Sequence, residues 1–198
     1  MSTDETGLTL VSFARAVILH ELGGPAPVRP SGPELEAPAA TFVTVTRNGR
    51  LHGCIGSIAP HRSLVDDVED NAIAAAFSDP RSSRYRAEWI GELAVEVTLL
   101  GPLTPIRFAD QASLVAALVP GVDGLVLRWR THRGTFLPQV WDVLPEPRVF
   151  LDELKNKAGL PRDFWADDVE VLRFAVEKWG DRRSLGHPPP RARSEAPS

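Results

Sequence analysis

Cysteine is almost absent from this chain, since Cys54 is the only one among 198 residues. A single cysteine excludes an internal disulfide and any metal site built from several thiolates, and it is typical of a protein from a reducing compartment. Histidine is scarce as well, with five residues and no H-x-x-x-H spacing. We therefore predict that the chain holds no metal ion and needs no cofactor.

Long apolar runs are also missing. No stretch approaches the roughly 20 apolar residues that a membrane-spanning helix needs. The opening residues, MSTDETGLTL, lack the basic and then apolar layout of a secretory signal. We expect a cytoplasmic protein with no membrane partner. A net charge of −4 likewise disfavours the nucleic-acid-binding classes, which carry a basic surplus.

The residues that are present describe a globular protein. A hydrophobic fraction of 43% with 24% charged residues is the usual composition of a folded domain. The length suits a single domain, which we place at residues 5–182. The remainder, 183–198, is rich in proline and arginine and is predicted to be a disordered tail.

Hydrophobic periodicity and turn residues predict an α+β fold on a mainly antiparallel sheet with flanking helices. The segment 24–40, rich in proline and alanine, is expected to be a long surface loop. Helices are predicted over 8–22, 63–78, 110–118 and 147–159, strands over 92–100 and 169–179, and hairpins over 41–58 and 124–141.

The first hairpin carries the cysteine. Asn48-Gly49, between runs of alternating β-branched residues, is the strongest short hairpin signal in a sequence. A plain two-residue turn pairs Val45 with His52 and Val43 with Cys54. His52 and Cys54 are then expected to share one face of the sheet with these two valines.

Six ordered blocks carry a family resemblance: LHGCIGS, NAIAAAFSDPR, ELAVEVTLL, DGLVL, FLPQVW and FLDELKNKAGLP. Together they resemble the AMMECR-one domain family, known in bacteria and archaea as protein A of the AmmeMemoRadiSam system. The resemblance covers about residues 5 to 180. It implies an α+β fold with a small subdomain. It also implies a Memo-like protein and a radical SAM protein as pathway partners, acting on an unknown small molecule or protein.

Two positions depart from the pattern that the resemblance implies. The family's hallmark stretch usually reads LRGCIG, and His52 stands here where arginine is usual. This change weakens an anion-binding role for that position, because a neutral imidazole replaces a guanidinium. Lys155 stands where the family often has a second cysteine, so a two-cysteine redox pair is not available to this chain.

Cys54 has two interpretations. As a reactive thiol it would act through its thiolate, with His52 or His61 as base or proton shuttle and Glu96 orienting the site. Its flanking residues Gly53, Gly56 and Ser57 would let a substrate approach the backbone closely. As a structural residue, Cys54 would simply pack as a small apolar side chain.

The function hypotheses follow from these interpretations. The first is an enzyme component with Cys54 as its reactive residue, and the alternative is a non-catalytic binding or scaffold protein. A third is nucleic-acid association through the basic segment RWRTHRG, 128–134, which is predicted to lie at a hairpin tip.

Other polar residues are expected to be structural. Asn71 lies within a predicted helix, where asparagine is unfavourable, so we expect a side-chain partner on the hairpin. Asp79 and Arg81 are expected to fix the corner after that helix. Gln139 is expected to be a buried amide. The acids of residues 66–70 are interpreted as a solvated helix face rather than a metal site.

Overall fold

A computed structural model describes residues 3–181. It divides the chain into two compact units, the first built from residues up to Leu99 together with residues from Lys178 onward, and the second from Leu100–Glu177. The predicted tail, 183–198, lies outside the described residues. The predicted α+β class is confirmed, because helices flank sheets that are antiparallel wherever their pairing is described.

Five α-helices and ten strands are present among these residues. The helices are α1 (Thr3–Glu21), α2 (Pro33–Glu36), α3 (Leu64–Phe77), α4 (Gln111–Ala117) and α5 (Pro147–Lys157). The strands are β1 (Pro38–Ala39), β2 (Thr41–Arg47), β3 (Arg50–Gly56), β4 (Arg62–Ser63), β5 (Leu93–Leu100), β6 (Thr104–Pro105), β7 (Gly124–Trp129), β8 (His132–Phe136), β9 (Glu170–Phe174) and β10 (Val176–Gly180). Short 3-10 helices cover Ala87–Glu92 and Pro138–Asp142.

The first unit is built on a four-stranded sheet in the order β10-β5-β2-β3, which leaves β3 at an edge. Helix α3 lies over β2 and β3, and α1 packs against α3. The core contains the fully buried valines of alternate positions in β2 and β5, Val43, Val45, Val95 and Val97. Ser63 begins α3 as predicted, because its hydroxyl accepts the N–H of Asp66.

The predicted Asn48-Gly49 turn is confirmed, with φ of 49° and 75° at its two residues. The two pairs nearest the turn, Arg47 with Arg50 and Thr46 with Leu51, fit a plain two-residue turn. The predicted pairs Val45–His52 and Val43–Cys54 are wrong. Val45 pairs with Gly53 and Thr44 pairs with Cys54, because His52 is an extra residue that forms a β-bulge in β3. A one-residue shift exchanges the two faces of a strand. Cys54 therefore lies on the face of Thr44, opposite to the valines.

The second unit contains a four-stranded sheet in the order β6-β9-β7-β8. Helix α5 packs on β8, and its buried side chains join those of α4, β7 and β9 in a separate core. The indole of Trp141 stacks on Phe150 in this core, with ring centroids 3.7 Å apart. Asp110 caps α4 as predicted, with its carboxylate accepting the N–H of Ser113.

Three predicted segments are corrected. The strand expected over 169–179 is two strands, β9 and β10, which join different sheets. The second hairpin turns at Arg130-Thr131, and the segment from Pro138 is a 3-10 helix because Pro138 cannot donate to a strand ladder. The expected loop 24–40 contains α2, which begins at Pro33 and buries Leu35 completely.

Candidate functional site

The N–H and the carbonyl of Cys54 are both hydrogen-bonded to side chains of the loop that follows α3. Its N–H donates to Oδ2 of Asp79 at 2.9 Å, and its carbonyl accepts Nη2 of Arg81 at 3.0 Å. Arg81 in turn makes two side-chain hydrogen bonds to Asp79, from Nε at 2.9 Å and Nη2 at 2.6 Å. We call this arrangement the Asp79–Arg81 clamp. It satisfies the outward peptide groups that an edge strand leaves unpaired.

The Asp79–Arg81 clamp is an ionised pair. The Asp79 side chain is fully buried, whereas that of Arg81 is 62% exposed. Hydrogen bonds from the Arg81 guanidinium, and then from the N–H groups of Cys54 and Arg81, hold the pKa of Asp79 well below its ordinary value against the opposing effect of burial. Asp79 raises the pKa of Arg81, and the charge of a Cys54 thiolate adds to that effect.

The sulfur of Cys54 has a donor of its own. The hydroxyl of Thr44, opposite on β2, donates to Sγ at 3.3 Å. Cys54 is half-buried and is a free thiol. The sulfur therefore has a hydroxyl donor, while the Arg81 guanidinium is bonded to the carbonyl of the same residue.

The glycines beside Cys54 have packing roles. A Cβ on Gly53 would lie 2.1 Å from the carbonyl oxygen of Ala75, so this glycine lets β3 approach α3. A Cβ on Gly56 would lie 2.3 Å from the ring of Phe42. Both contacts exclude any side chain at these positions. The prediction that Gly53 and Gly56 admit a substrate remains a prediction.

His52 points to the end of α3. Its Nε2 lies 3.2 Å from the carbonyl oxygen of Ala76, and its ring packs edge-on against Tyr85, with centroids 4.8 Å apart. Within residues 3–181, no hydrogen bond joins His52 to Cys54. The bulge therefore places this histidine against the helix and the aromatic side chains, while the sulfur faces Thr44.

The other predicted catalytic residues, His61 and Glu96, make no hydrogen bond to the sulfur among the described residues. His61 is exposed and makes no hydrogen bond to the residues that the structure describes. Glu96 is a register partner of Thr44 on β5, so one strand separates it from Cys54. Its carboxylate lies 3.5 Å from Nζ of Lys178. The structure thus brings Cys54 and Thr44 together, whereas His52, His61 and Glu96 are not hydrogen-bonded to Cys54 within residues 3–181.

Asp67 is a buried hub that anchors the end of the cysteine segment. Its carboxylate accepts the N–H and the hydroxyl of Thr41, both at 2.7 Å, and the Asn71 amide at 2.9 Å. It also accepts the hydroxyl of Ser57 and Nε of Arg62. The expectation that Asn71 has a partner on the hairpin is confirmed, since its amide also donates to the Thr41 carbonyl at 3.1 Å.

The residues of the second unit that the sequence singled out contact other protein side chains or are partly buried. In the second unit, Gln139 is half-buried and its buried Oε1 has no hydrogen-bond partner among the described residues. Lys155 is buried, with Nζ 2.8 Å from Oδ1 of Asp152. The Trp129 ring of the basic segment is covered by Phe164 and Arg130, and its indole donates to Asp168 at 2.7 Å. These contacts occupy the ring that a nucleic-acid base would need.

The acidic residues of α3 form ion pairs with arginines. Asp66 pairs with Arg29 at 2.7 Å, and Asp70 pairs with Arg62. In the part of the chain that the structure describes, no three histidine, cysteine or acidic side chains are placed to hold a metal ion. Within the same range, no helix has the length and apolar character that crossing a bilayer requires.

Sequence reasoning missed the three side-chain partners of Cys54. Asp79 and Arg81 were expected only to fix a local corner, and Thr44 was not considered because the predicted register placed Val43 opposite the cysteine. The spacing D-P-R directly after a helix that packs on the hairpin was the available signal for the clamp. The bulge at His52 has no comparable signal.

Comparison with known proteins gives a consistent result. The AMMECR1 family model matches residues 11–179. A protein of Methanothermobacter thermautotrophicus is 36% identical over 89% of this chain and 94% of its own length, and protein MJ0810 of Methanocaldococcus jannaschii is 35% identical over 88% and 90%. The crystal structure of the uncharacterised protein PH0010 from Pyrococcus horikoshii has a TM-score of 0.80 at 33% identity, covering 91% of this chain and 93% of that one. The chain therefore belongs to the AMMECR1 family.

Proposed function

We propose that this chain is an enzyme component whose reacting group is the thiol of Cys54 in the LHGCIGS segment. The observation that carries the proposal is the pair of contacts at this one residue, the Asp79–Arg81 clamp on its backbone and the Thr44 hydroxyl on its sulfur. A group that reacts must be held in place by neighbours that are themselves fixed. The clamp meets this requirement through a fully buried carboxylate.

The chemistry of the site suits a nucleophile. The thiolate is the form of a cysteine that attacks an electrophilic carbon, and the hydrogen bond from Thr44 holds the sulfur in place for that attack. None of His52, His61 or Glu96 makes a hydrogen bond to the sulfur among residues 3–181, so the predicted proton shuttle depends on a substrate or a partner completing the site. The thiol proton then leaves to solvent or to the substrate.

The partners remain part of the proposal. Membership of the AMMECR1 family supports a pathway with a Memo-like protein and a radical SAM protein, acting on an unidentified small molecule or protein. In this pathway, our chain supplies the thiol and its partners supply the remaining chemistry.

A binding or scaffold protein is the second candidate. It is favoured by Gly53 and Gly56, whose contacts with Ala75 and Phe42 explain the glycines of LHGCIGS by packing alone. In that case Cys54 is a half-buried structural residue, and replacing its sulfur has no effect beyond stability.

The two candidates are separated in cells that contain the chain and both partners. We compare Cys54→Ala with Val28→Ala, a change at a side chain that is 90% exposed and remote in sequence. The enzyme proposal expects Cys54→Ala to abolish whatever metabolite or modification change the gene deletion reveals, while binding to the Memo-like protein is retained. Full activity with Cys54→Ala contradicts the thiol proposal and supports the scaffold.

A further inference from the structure

A polar groove of about 610 Å³ lies at the tip of the first hairpin, on the first unit. Its lining residues come from the turn, from the strands beside it and from the end of the following 3-10 helix: Arg47, Asn48, Arg50, Leu51, His52 and Glu92. This groove, which we call the hairpin groove, is separate from the Cys54 sulfur, because Sγ contacts Thr44 on the sheet.

The charges of the hairpin groove are unbalanced. Arg47 and Arg50 are direct register partners across the turn, and like charges in that position repel. Glu92 neutralises Arg47 through a 2.5 Å hydrogen bond, and the Arg47 guanidinium also lies 4.0 Å from the ring centre of Trp89. The Arg50 guanidinium, in contrast, has no ion-pair partner within residues 3–181. An anion in the groove would remove this imbalance.

His52 adds a further polar atom to the groove. The carbonyl of Ala76 can only accept, so the hydrogen bond at 3.2 Å requires that Nε2 carries a hydrogen. Nδ1 is then the ring nitrogen that has no hydrogen-bond partner among the described residues. In the neutral ring Nδ1 accepts a hydrogen bond from a ligand, and in the imidazolium it donates one to an anion.

Leu51 gives the groove an apolar side. Its side chain is 60% exposed, although neighbouring apolar residues of the same hairpin such as Val43 and Val45 are fully buried. A ligand that covers Leu51 gains from burying this surface. The groove thus combines guanidinium donors with one exposed apolar side chain.

We propose that the hairpin groove binds a small organic phosphate. The phosphate oxygens accept from Arg50 and from the N–H groups of Arg47 that Glu92 leaves free, and the Asn48 amide donates to a third oxygen. Guanidinium groups match phosphate oxygens in geometry as well as in charge. The organic part of the ligand lies against Leu51. This inference stands independently of the proposal for Cys54.

The test uses phenyl phosphate, inorganic phosphate and benzoate as probes of the full chain, with binding followed through the backbone amide NMR signals of residues 48–52. We expect saturable shifts for phenyl phosphate and weaker binding of inorganic phosphate, which cannot contact Leu51. Arg50→Gln should weaken phenyl phosphate binding by at least about fivefold, since a charged hydrogen bond is lost. Leu51→Ser should reduce the affinity for phenyl phosphate to that for inorganic phosphate.

The matched control is Arg133→Gln. Arg133 is exposed and faces Arg128 across the turn of the other hairpin, so it has the same kind of pairing outside the hairpin groove. This change should leave phenyl phosphate binding unaltered. Arg50→Gln should also keep the thermal midpoint of the wild type, because it removes a repulsion. The proposal is overturned if the amides of residues 48–52 show no saturable shift, if benzoate binds as tightly as phenyl phosphate, or if both arginine variants bind equally.

Discussion

At the scale of single residues, Thr44 and Arg81 hold Cys54 in position. Thr44 supplies a hydrogen bond to Sγ, and Arg81 supplies a positive charge at the same residue. Thr44 contacts the side chain of Cys54 and Arg81 contacts its backbone, so their contributions are separable by mutation.

Replacing the Thr44 hydroxyl tests the contribution of its hydrogen bond to Sγ of Cys54. In Thr44→Val the side chain keeps its size but loses the hydrogen bond that positions Sγ, so alkylation by iodoacetamide at pH 7 should slow by about threefold to tenfold. Intact-mass spectrometry measures the rate. Thr9→Val, on α1, is the control and should react as the wild type. An unchanged rate in Thr44→Val contradicts a role for this hydrogen bond.

Asp79 links the site to stability. Its native-state pKa lies below that in the unfolded chain, so its ionised form favours folding. This contribution is complete above about pH 4, the ordinary value for an aspartate, and is lost as the pH falls through and below that value.

Asp79→Asn should therefore lower the free energy of unfolding at pH 7 by about 2 to 3 kcal/mol, because the Arg81 guanidinium loses its ionic partner. Urea unfolding followed by circular dichroism measures the change. From about pH 5 to about pH 2, the wild type should lose more stability than the variant. Parallel pH profiles for the two proteins would show that Asp79 does not act through its charge.

The residue scale is also where sequence reasoning was weakest. Asn71 was matched to a partner on the hairpin, since asparagine within a helix needs one. Thr44 was missed because the register of β3 depends on a bulge, and a bulge is decided by contacts with α3 that a sequence pattern does not contain. Cys54 has a hydrogen bond at its reacting atom. The other predicted catalytic residues, His52, His61 and Glu96, are not hydrogen-bonded to that sulfur among the described residues.

At the scale of secondary-structure elements, the close approach of β3 to α3 positions the clamp. Gly53 allows this approach, because the carbonyl of Ala75 occupies the place of a Cβ. Asp79, two residues beyond the end of α3, then reaches the Cys54 backbone. The glycine of the hallmark stretch is thus a requirement of packing between a strand and a helix.

Gly53→Ala should destabilise the protein by about 1 to 3 kcal/mol, since the added methyl group overlaps a backbone atom that cannot move by itself. Gly91→Ala is the matched control, because a Cβ there has nothing within 4 Å. Chemical unfolding of both variants measures the difference. Equal midpoints for the two variants would contradict the close packing of β3 on α3.

Element boundaries were predictable where local chemistry decides them. Ser63, Asp110 and Asn48-Gly49 mark caps and a turn in the sequence, and the structure has the helices and the hairpin that they indicate. The break at Ala175 between β9 and β10 was not predictable, because no glycine, proline or asparagine marks it and only the strands' partners in different sheets separate them.

At the scale of the whole molecule, residues near both ends of the described chain hold the first unit together. Arg15 of α1 pairs with Asp181 at 3.1 Å, and Asp181 also accepts the N–H of Val95 at 3.1 Å. Trp179 joins the first core and donates to Asp4 at 3.3 Å. The residues of the second unit are thus an insertion between β5 and the end of β10.

Trp179→Ala should therefore destabilise the first unit, although it lies near the end of the described chain. Loss of this large side chain from the core should cost about 3 to 5 kcal/mol. Hydrogen exchange measured by mass spectrometry should show faster exchange in α1 and β5. Val28→Ala, at an exposed position, is the control and should change nothing. Unaltered exchange in α1 would show that Trp179 does not stabilise the first unit.

Cys54 is proposed to react through its thiol, and the rate of its alkylation tests that proposal. We would measure the rate with iodoacetamide at pH 7 for the native protein and for the same protein unfolded in urea. We expect native Cys54 to react at least as fast as the unfolded thiol, because its side chain is only half-buried and its sulfur is held in place by Thr44. A native rate more than about tenfold slower would mean that Cys54 is an inaccessible structural cysteine and would contradict the proposal.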